Sequence, residues 1–182
     1  INPSELIDFI PPAKKEFLDL NKLDNLILSL EKAKRPLIVF GRGVKISNTK
    51  TKLLDFINQT KIPAISARMA NDLIPFDNKF YLGMGGIRGN RSSAKIIKEA
   101  DLIIAIGTSL GYSFLSGVID KANKKQNLVV VNIDDKIFER KDLEIDLGIQ
   151  TELNIFFDEI NQKIKKFNFS NWSDYCLEVK KT

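Results

Sequence analysis

Asp101-Leu102-Ile103-Ile104-Ala105-Ile106-Gly107 is the stretch whose reading decides the fold. Its five central residues are apolar without a break and stop at a glycine. A strand with one wet face alternates apolar and polar residues, whereas an unbroken apolar run belongs to a sheet covered on both faces. Covering both faces takes helices between the strands, and such crossovers make neighbouring strands parallel. Working outward, residues 92–100 carry a helical pattern just before this run, and residues 127–133 form a second run of the same kind, ending in Asp134-Asp135.

The alternation continues in both directions. Pro36-Leu37-Ile38-Val39-Phe40 is a buried-strand signal with a proline before it and Gly41-Arg42-Gly43 after it. Residues 48–60 read as an amphipathic helix with Leu53, Leu54, Phe56 and Ile57 on one face. Ile62-Pro63-Ala64-Ile65-Ser66 reads as another strand, its proline tolerable near the start. Residues 82–89 read as a glycine-rich loop, and a short strand over 145–149 leads into a helix over 151–166. Right-handed crossovers turn this order into an α/β, doubly wound, mostly parallel Rossmann-like sheet over residues 35–166. Residues 1–34, with Pro3, Pro11 and Pro12 and a helix over 24–34, read as a linker and lead-in helix; residues 167–182, with Trp172, read as a connector.

In open α/β sheets, ligands lie outside the carboxyl ends of the strands. Here those ends carry Gly41-Arg42-Gly43, Ser66-Ala67-Arg68-Met69, the Gly83 to Gly89 loop, Gly107-Thr108-Ser109 and Asn132-Ile133-Asp134-Asp135. Glycines let backbone N–H groups approach a phosphate, Arg42 and Arg68 suit a pyrophosphate, and Asp134 suits a ribose hydroxyl. The same residues also serve without a ligand, the glycines in tight turns and Asp134 as a helix cap. No GxGxxG fingerprint or Walker A lysine decides between the two readings.

Composition narrows the function further. The 182 residues contain no histidine, which removes Ser-His-Asp hydrolysis and the common zinc sites. The single cysteine, Cys176, allows no internal disulfide and lacks an imidazole to activate it, so a reducing, cytoplasmic setting is expected. The net charge of +5 comes from lysines scattered along helical stretches beside acids, not from arginines interleaved with aromatics, so nucleic acid is not an expected partner. The apolar runs are too short to cross a membrane, and the first residues lack a signal-peptide pattern.

Five segments, taken in order, carry a resemblance: Ala33 to Val44 around its strand and Gly-x-Gly turn, Lys61-Ile62-Pro63-Ala64, Leu82-Gly83-Met84-Gly85-Gly86, Glu99 to Gly107, and Val130-Val131-Asn132-Ile133-Asp134. Together they resemble the central domain of thiamine-diphosphate-dependent enzymes, acetolactate synthase most closely. Phe169-Ser170-Asn171-Trp172 is similar to the lead into that family's cofactor-binding domain, and Ile7-Asp8-Phe9-Ile10-Pro11 resembles the exit from its first domain.

The resemblance implies a six-stranded sheet of the DHS-like NAD/FAD-binding type, set between catalytic domains that hold thiamine diphosphate and magnesium outside this chain. It implies a fragment inactive alone, whose partners are the other domains of a homo-oligomeric parent, a dimer or tetramer. The parent reaction would be carboligation of 2-oxo acids such as pyruvate. Alternatives are the middle domain of a 2-oxo acid decarboxylase and a cofactor-free structural spacer. In such synthases the middle domain binds FAD without a redox role, and in related decarboxylases it binds ADP or nothing. Gly41 and Gly43, Ala67 and Arg68, Gly83 and Met84, and Gly107 and Thr108 match the family's cofactor-facing positions. The family's arginine after the strand-ending glycine is Ser109 here, the segment over 110–117 is one residue longer, and a usual Gly-Asp pair reads Thr151-Glu152. Losing a charge-assisted pyrophosphate contact costs on the order of 1.5–3 kcal/mol, so FAD binding is expected to be weak or absent unless Arg42, Arg68 or Arg88 compensates.

Overall fold

The computed structural model describes residues 18–115 and 126–181; the segment at Ile7 to Pro11 and the end of the 110–117 stretch lie outside them. Six strands form one sheet in which every pairing is parallel. They are β1 (Pro36–Phe40), β2 (Ala64–Ser66), β3 (Tyr81–Met84), β4 (Leu102–Ile106), β5 (Asn127–Asn132) and β6 (Leu147–Gln150). Their order across the sheet is β3-β2-β1-β4-β5-β6, so the winding reverses between β1 and β4. This is the strand order of doubly wound dinucleotide-binding folds.

The apolar runs divide their side chains between two cores, as a period of two requires. Ile38, Phe40, Leu102, Ile104, Ile106, Val129 and Val131 enter the first core. There they meet α1 (Leu20–Lys32), α3 (Lys50–Thr60) and α6 (Leu153–Lys163) through Leu26, Phe56 and Phe157 among others. Leu37, Val39, Ile103, Ala105, Leu128 and Val130 enter the second core, against α4 (Arg91–Glu99) and α7 (Ser170–Lys181). β1 and β4 are buried at every position, which is what their unbroken apolar composition predicts.

Local chemistry sets the element ends. Asp19 caps α1 by accepting from the Asn21 N–H at 3.0 Å. α3 stops at Lys61, which takes a left-handed φ of 56°. β2 begins at Ala64, two residues later than the sequence pattern suggests, after Pro63, which has no N–H to give a ladder. A short helix that the pattern does not announce, α2 (Arg42–Ile46), follows β1 directly.

Two further segments differ from the sequence reading. The front of the glycine-rich loop is strand β3, paired to β2 through Ala64↔Tyr81 and Ser66↔Met84 with a register shift between them. Gly83, at φ +94°, absorbs that irregularity, and a strand interrupted in this way leaves only a loop signature in the sequence. The stretch read as a connector contains α7, which buries Trp172, Cys176 and Val179 at helical spacing. The Trp172 indole N–H donates to the Pro36 carbonyl at 2.9 Å, and Lys180 Nζ donates to the Tyr81 carbonyl at 2.7 Å, which ties α7 to β1 and β3.

Candidate functional site

The carboxyl ends of the strands bring the sequence-derived candidates to one rim. Phe40 is in register with Ser66 on one side and Ile106 on the other, and Ile106 with Val131. The segments that follow β1, β2, β4 and β5 therefore emerge side by side.

At the reversal point the backbones of two loops touch. The Gly41 N–H donates to the Ile106 carbonyl at 2.9 Å, the Gly43 N–H to the Gly107 carbonyl at 2.8 Å, and the Gly107 N–H to the Val131 carbonyl at 2.9 Å. A Cβ at Gly41 would stand 2.5 Å from the Gly107 oxygen, and one at Gly43 would stand 2.7 Å from the Gly107 Cα. Only glycine permits this approach, and the requirement holds with or without a ligand. Thr108, next in line, is buried and its hydroxyl accepts from the Leu110 N–H at 3.2 Å. Arg42 begins α2 and is exposed.

Towards the β3 edge the rim opens into a cleft of about 330 Å³ lined by Arg68, Met84, Gly85, Ile87, Arg88, Ser113 and Phe114. That volume lies at the lower end of the range for small-molecule sites, about 300–1,000 Å³. The Gly85 N–H donates to Ser66 and the Ile87 N–H to Ser113, at 3.0 and 2.8 Å. Asn90's side-chain amide occupies the place a Cβ would take at Gly83, and the φ of +94° there is what favours glycine. Ala67 donates to the Phe40 carbonyl at 2.8 Å and turns the chain so that Arg68 reaches the cleft. Arg68 and Arg88 are exposed, and neither has a carboxylate partner among the described residues.

At the other end of the rim, Asp134 caps the 3-10 turn Asp135–Glu139 by accepting from the Lys136 N–H at 3.1 Å. Asn132 joins this corner to the reversal point: its amide donates to the Thr108 carbonyl and its oxygen accepts from the Asp134 N–H, both at 3.1 Å. Arg140 donates through Nη1 to the carbonyls of Ser109 and Leu110, and through Nε and Nη2 to Asp142. The Asp142 carboxylate raises the guanidinium's affinity for its proton further, against a smaller effect of burial. Leu110 sits at φ 44°, so the clamp holds a backbone turn that a leucine adopts at a cost. The sequence places Asn132 in a rim loop without giving it a role and does not single out Arg140, since no local pattern links Arg140 to a loop 31 residues away.

The described residues include no set of three His, Cys, Asp or Glu side chains able to hold a metal ion. Cys176 is fully buried, and burial, with Glu99 adding to it, pushes its thiol far above the usual range, so it is no nucleophile. No helix among these residues is long and apolar enough to cross a membrane. Among the described residues, a parallel sheet carries glycine turns and two exposed arginines along one rim. Residues 23–160 match the family model described as thiamine pyrophosphate enzyme, central domain. The chain belongs to that family.

Among curated relatives, this central domain is 26% identical over 151 residues to the acetolactate synthase isozyme 2 large subunit of Escherichia coli, covering 83% of this chain and 27% of that protein. It is 27% identical over 153 residues to the acetolactate synthase large subunit of Lactococcus lactis, covering 83% and 26%. It is 27% identical over 175 residues to the 3D-(3,5/4)-trihydroxycyclohexane-1,2-dione hydrolase of Clostridium tetani, covering 96% and 26%. The chain thus spans about a quarter of the length of these relatives.

For a nucleotide the fit is partial. Arg68 and Arg88 suit a phosphate, but a Cβ at Gly85 would already stand 2.8 Å from the Phe114 ring, so that wall of the cleft is closed by protein.

Proposed function

We propose that this central domain belongs to a parent enzyme that depends on thiamine diphosphate and joins 2-oxo acids, two pyruvates giving acetolactate and CO2. Thiamine diphosphate and magnesium bind to other parts of the parent, a cytoplasmic homo-oligomer. The central domain itself serves as a rigid spacer between catalytic domains. It keeps a nucleotide-type cleft in which FAD or ADP binds weakly or not at all. The observation that carries this reading is an all-parallel 3-2-1-4-5-6 sheet in a chain whose residues 23–160 match the thiamine pyrophosphate enzyme central domain. The acetolactate synthases among the relatives support carboligation as the parent reaction. The hydrolase and a 2-hydroxyacyl-CoA lyase of Dictyostelium discoideum, 28% identical over 117 residues, keep a decarboxylase or lyase as the second reading.

The test uses the 182-residue chain and its full-length parent side by side, each with pyruvate, thiamine diphosphate and magnesium. The parent is expected to form acetolactate and the chain alone none. Acetolactate from the chain alone would overturn the spacer role. Acetaldehyde in place of acetolactate from the parent would replace carboligation with decarboxylation.

A further inference from the structure

Phe114 belongs to the second core and also lines the cleft. It sits on α5 (Tyr112–Leu115), a single turn of helix, yet it is only 5% exposed while Tyr112 on the same turn is 80% exposed. Its ring rests against the one side of the glycine loop that has no side chain. The point a Cβ would take at Gly85 is 2.8 Å from the Phe114 Cε2 and 2.9 Å from the Ile65 Cγ2 beneath it. Gly86, at φ +93°, makes the same allowance for the backbone behind the ring: its Cβ would meet the Ser113 oxygen at 2.6 Å.

The segment that carries the ring is held through its backbone. The Ser113 carbonyl accepts from the Ile87 N–H, and the Phe114 N–H donates to Gly111, each at 2.8 Å. Arg140 grips the carbonyls of Ser109 and Leu110 just upstream. In the same cleft Arg68 and Arg88 line the wall without a carboxylate partner among the described residues. Two unmatched guanidinium groups beside a seated aromatic ring are the two halves of a site for a planar ring that bears a phosphate, with the ring half filled from within.

Resting on the nucleotide-type cleft of the reading above, we infer that Phe114 is an internal occupant of this cleft and keeps adenine nucleotides, FAD included, out of the wild-type protein. An apolar cavity left by removing a buried ring accepts an aromatic guest, as engineered cavities do. Without the phenyl ring, the space over Gly85 and Ile65 is open to a base whose phosphates meet Arg68 and Arg88.

The test titrates the 182-residue chain with ADP and with FAD, following binding by calorimetry and flavin fluorescence. Phe114→Ala is expected to bind ADP at least about tenfold more tightly than wild type, a difference of about 1.4 kcal/mol. Arg88→Ala in that background is expected to cancel the gain. Phe114→Leu, which keeps the segment buried, covers the case in which the alanine variant does not fold, and should gain in the same direction. Tyr112→Ala, outside the cleft lining, should match wild type. Amide exchange at Ile87 gives a second reading and should be indifferent to ADP in the wild type. Equal binding by wild type and variants would overturn the occluding role of Phe114 while leaving the cleft standing. Folded Phe114 variants that bind neither nucleotide would overturn both the occlusion and the cleft.

Discussion

The rim has two halves built from the same kind of sequence, a glycine-punctuated loop after a strand, and they do opposite things. Where β1 and β4 part, Gly41, Gly43 and Gly107 let two backbones press together, and their N–H groups donate to carbonyls of the sheet. Towards β3, Gly85 leaves room that a side chain from a distant segment enters, and the space beside it stays open as a cleft. At these positions a glycine reports that a Cβ is excluded. It does not report whether backbone, side chain or ligand excludes it. The difference matters energetically because a backbone cannot step aside, whereas the far end of a phenylalanine can.

That difference is largest at Gly41. Gly41→Ala puts a methyl group 2.5 Å from both the Gly107 oxygen and the Thr108 Cβ, so two strand ends must separate. The expected loss is about 3 kcal/mol, the upper part of the range for overpacking, and urea unfolding would measure it. A loss below about 1 kcal/mol would show that the two loops are not in contact, and the contrast between the halves of the rim would disappear.

The next effect lies at the seam between the halves, where Arg140 fastens the β4 loop from the far side. Arg140→Ala removes two charge-assisted bonds to carbonyls and leaves the left-handed turn at Leu110 with only the Thr108 hydroxyl bond beside it. The side chain is 23% exposed, so water replaces part of the loss, and about 1.5 kcal/mol is expected. Amide exchange at Ile87 should quicken in the same variant, since its acceptor Ser113 lies in the segment that the clamp steadies. Lysine should restore less than half of the stability, because an ammonium cannot fork between two carbonyls and a carboxylate.

How much of this was legible follows the physics of each signal. β1, β4 and the centre of β5, Leu128 to Val131, declare themselves because a strand buried on both faces has no polar position to mislead the reader. β3 does not, since four residues with a positive-φ glycine among them resemble a loop more than a strand. α7 buries only Trp172, Ser173, Cys176 and Val179 of twelve residues, a sparse pattern that reads as a tail until the sheet it covers is in view. The positions of the rim candidates were legible from where strands end. Their purposes were not, because the Gly43–Gly107 and Arg140–Ser109 contacts join residues far apart in the chain. The sequence left Asp134 open between a ribose contact and a cap, and the structure shows the cap, a local device.

The smallest effect is the sharpest probe of the comparison. At Gly85 an added methyl group would meet only the tips of Phe114 and Ile65, at 2.8 and 2.9 Å, and no backbone within that reach. Gly85→Ala should therefore cost about 1 kcal/mol, the low end for overpacking, against the larger figure at Gly41. The two costs should also respond differently to a second change. Phe114→Leu shortens the group in the way, so in the double variant the alanine should cost clearly less than it does alone, a coupling of about 0.5 kcal/mol or more. The same Phe114→Leu change should leave the cost of Gly41→Ala untouched, because no side chain can relieve a clash between Gly41 and the Gly107 carbonyl. Additive costs at Gly85 would mean that the ring is not what fills the space above it, and a coupling at Gly41 would mean that the two halves of the rim move as one.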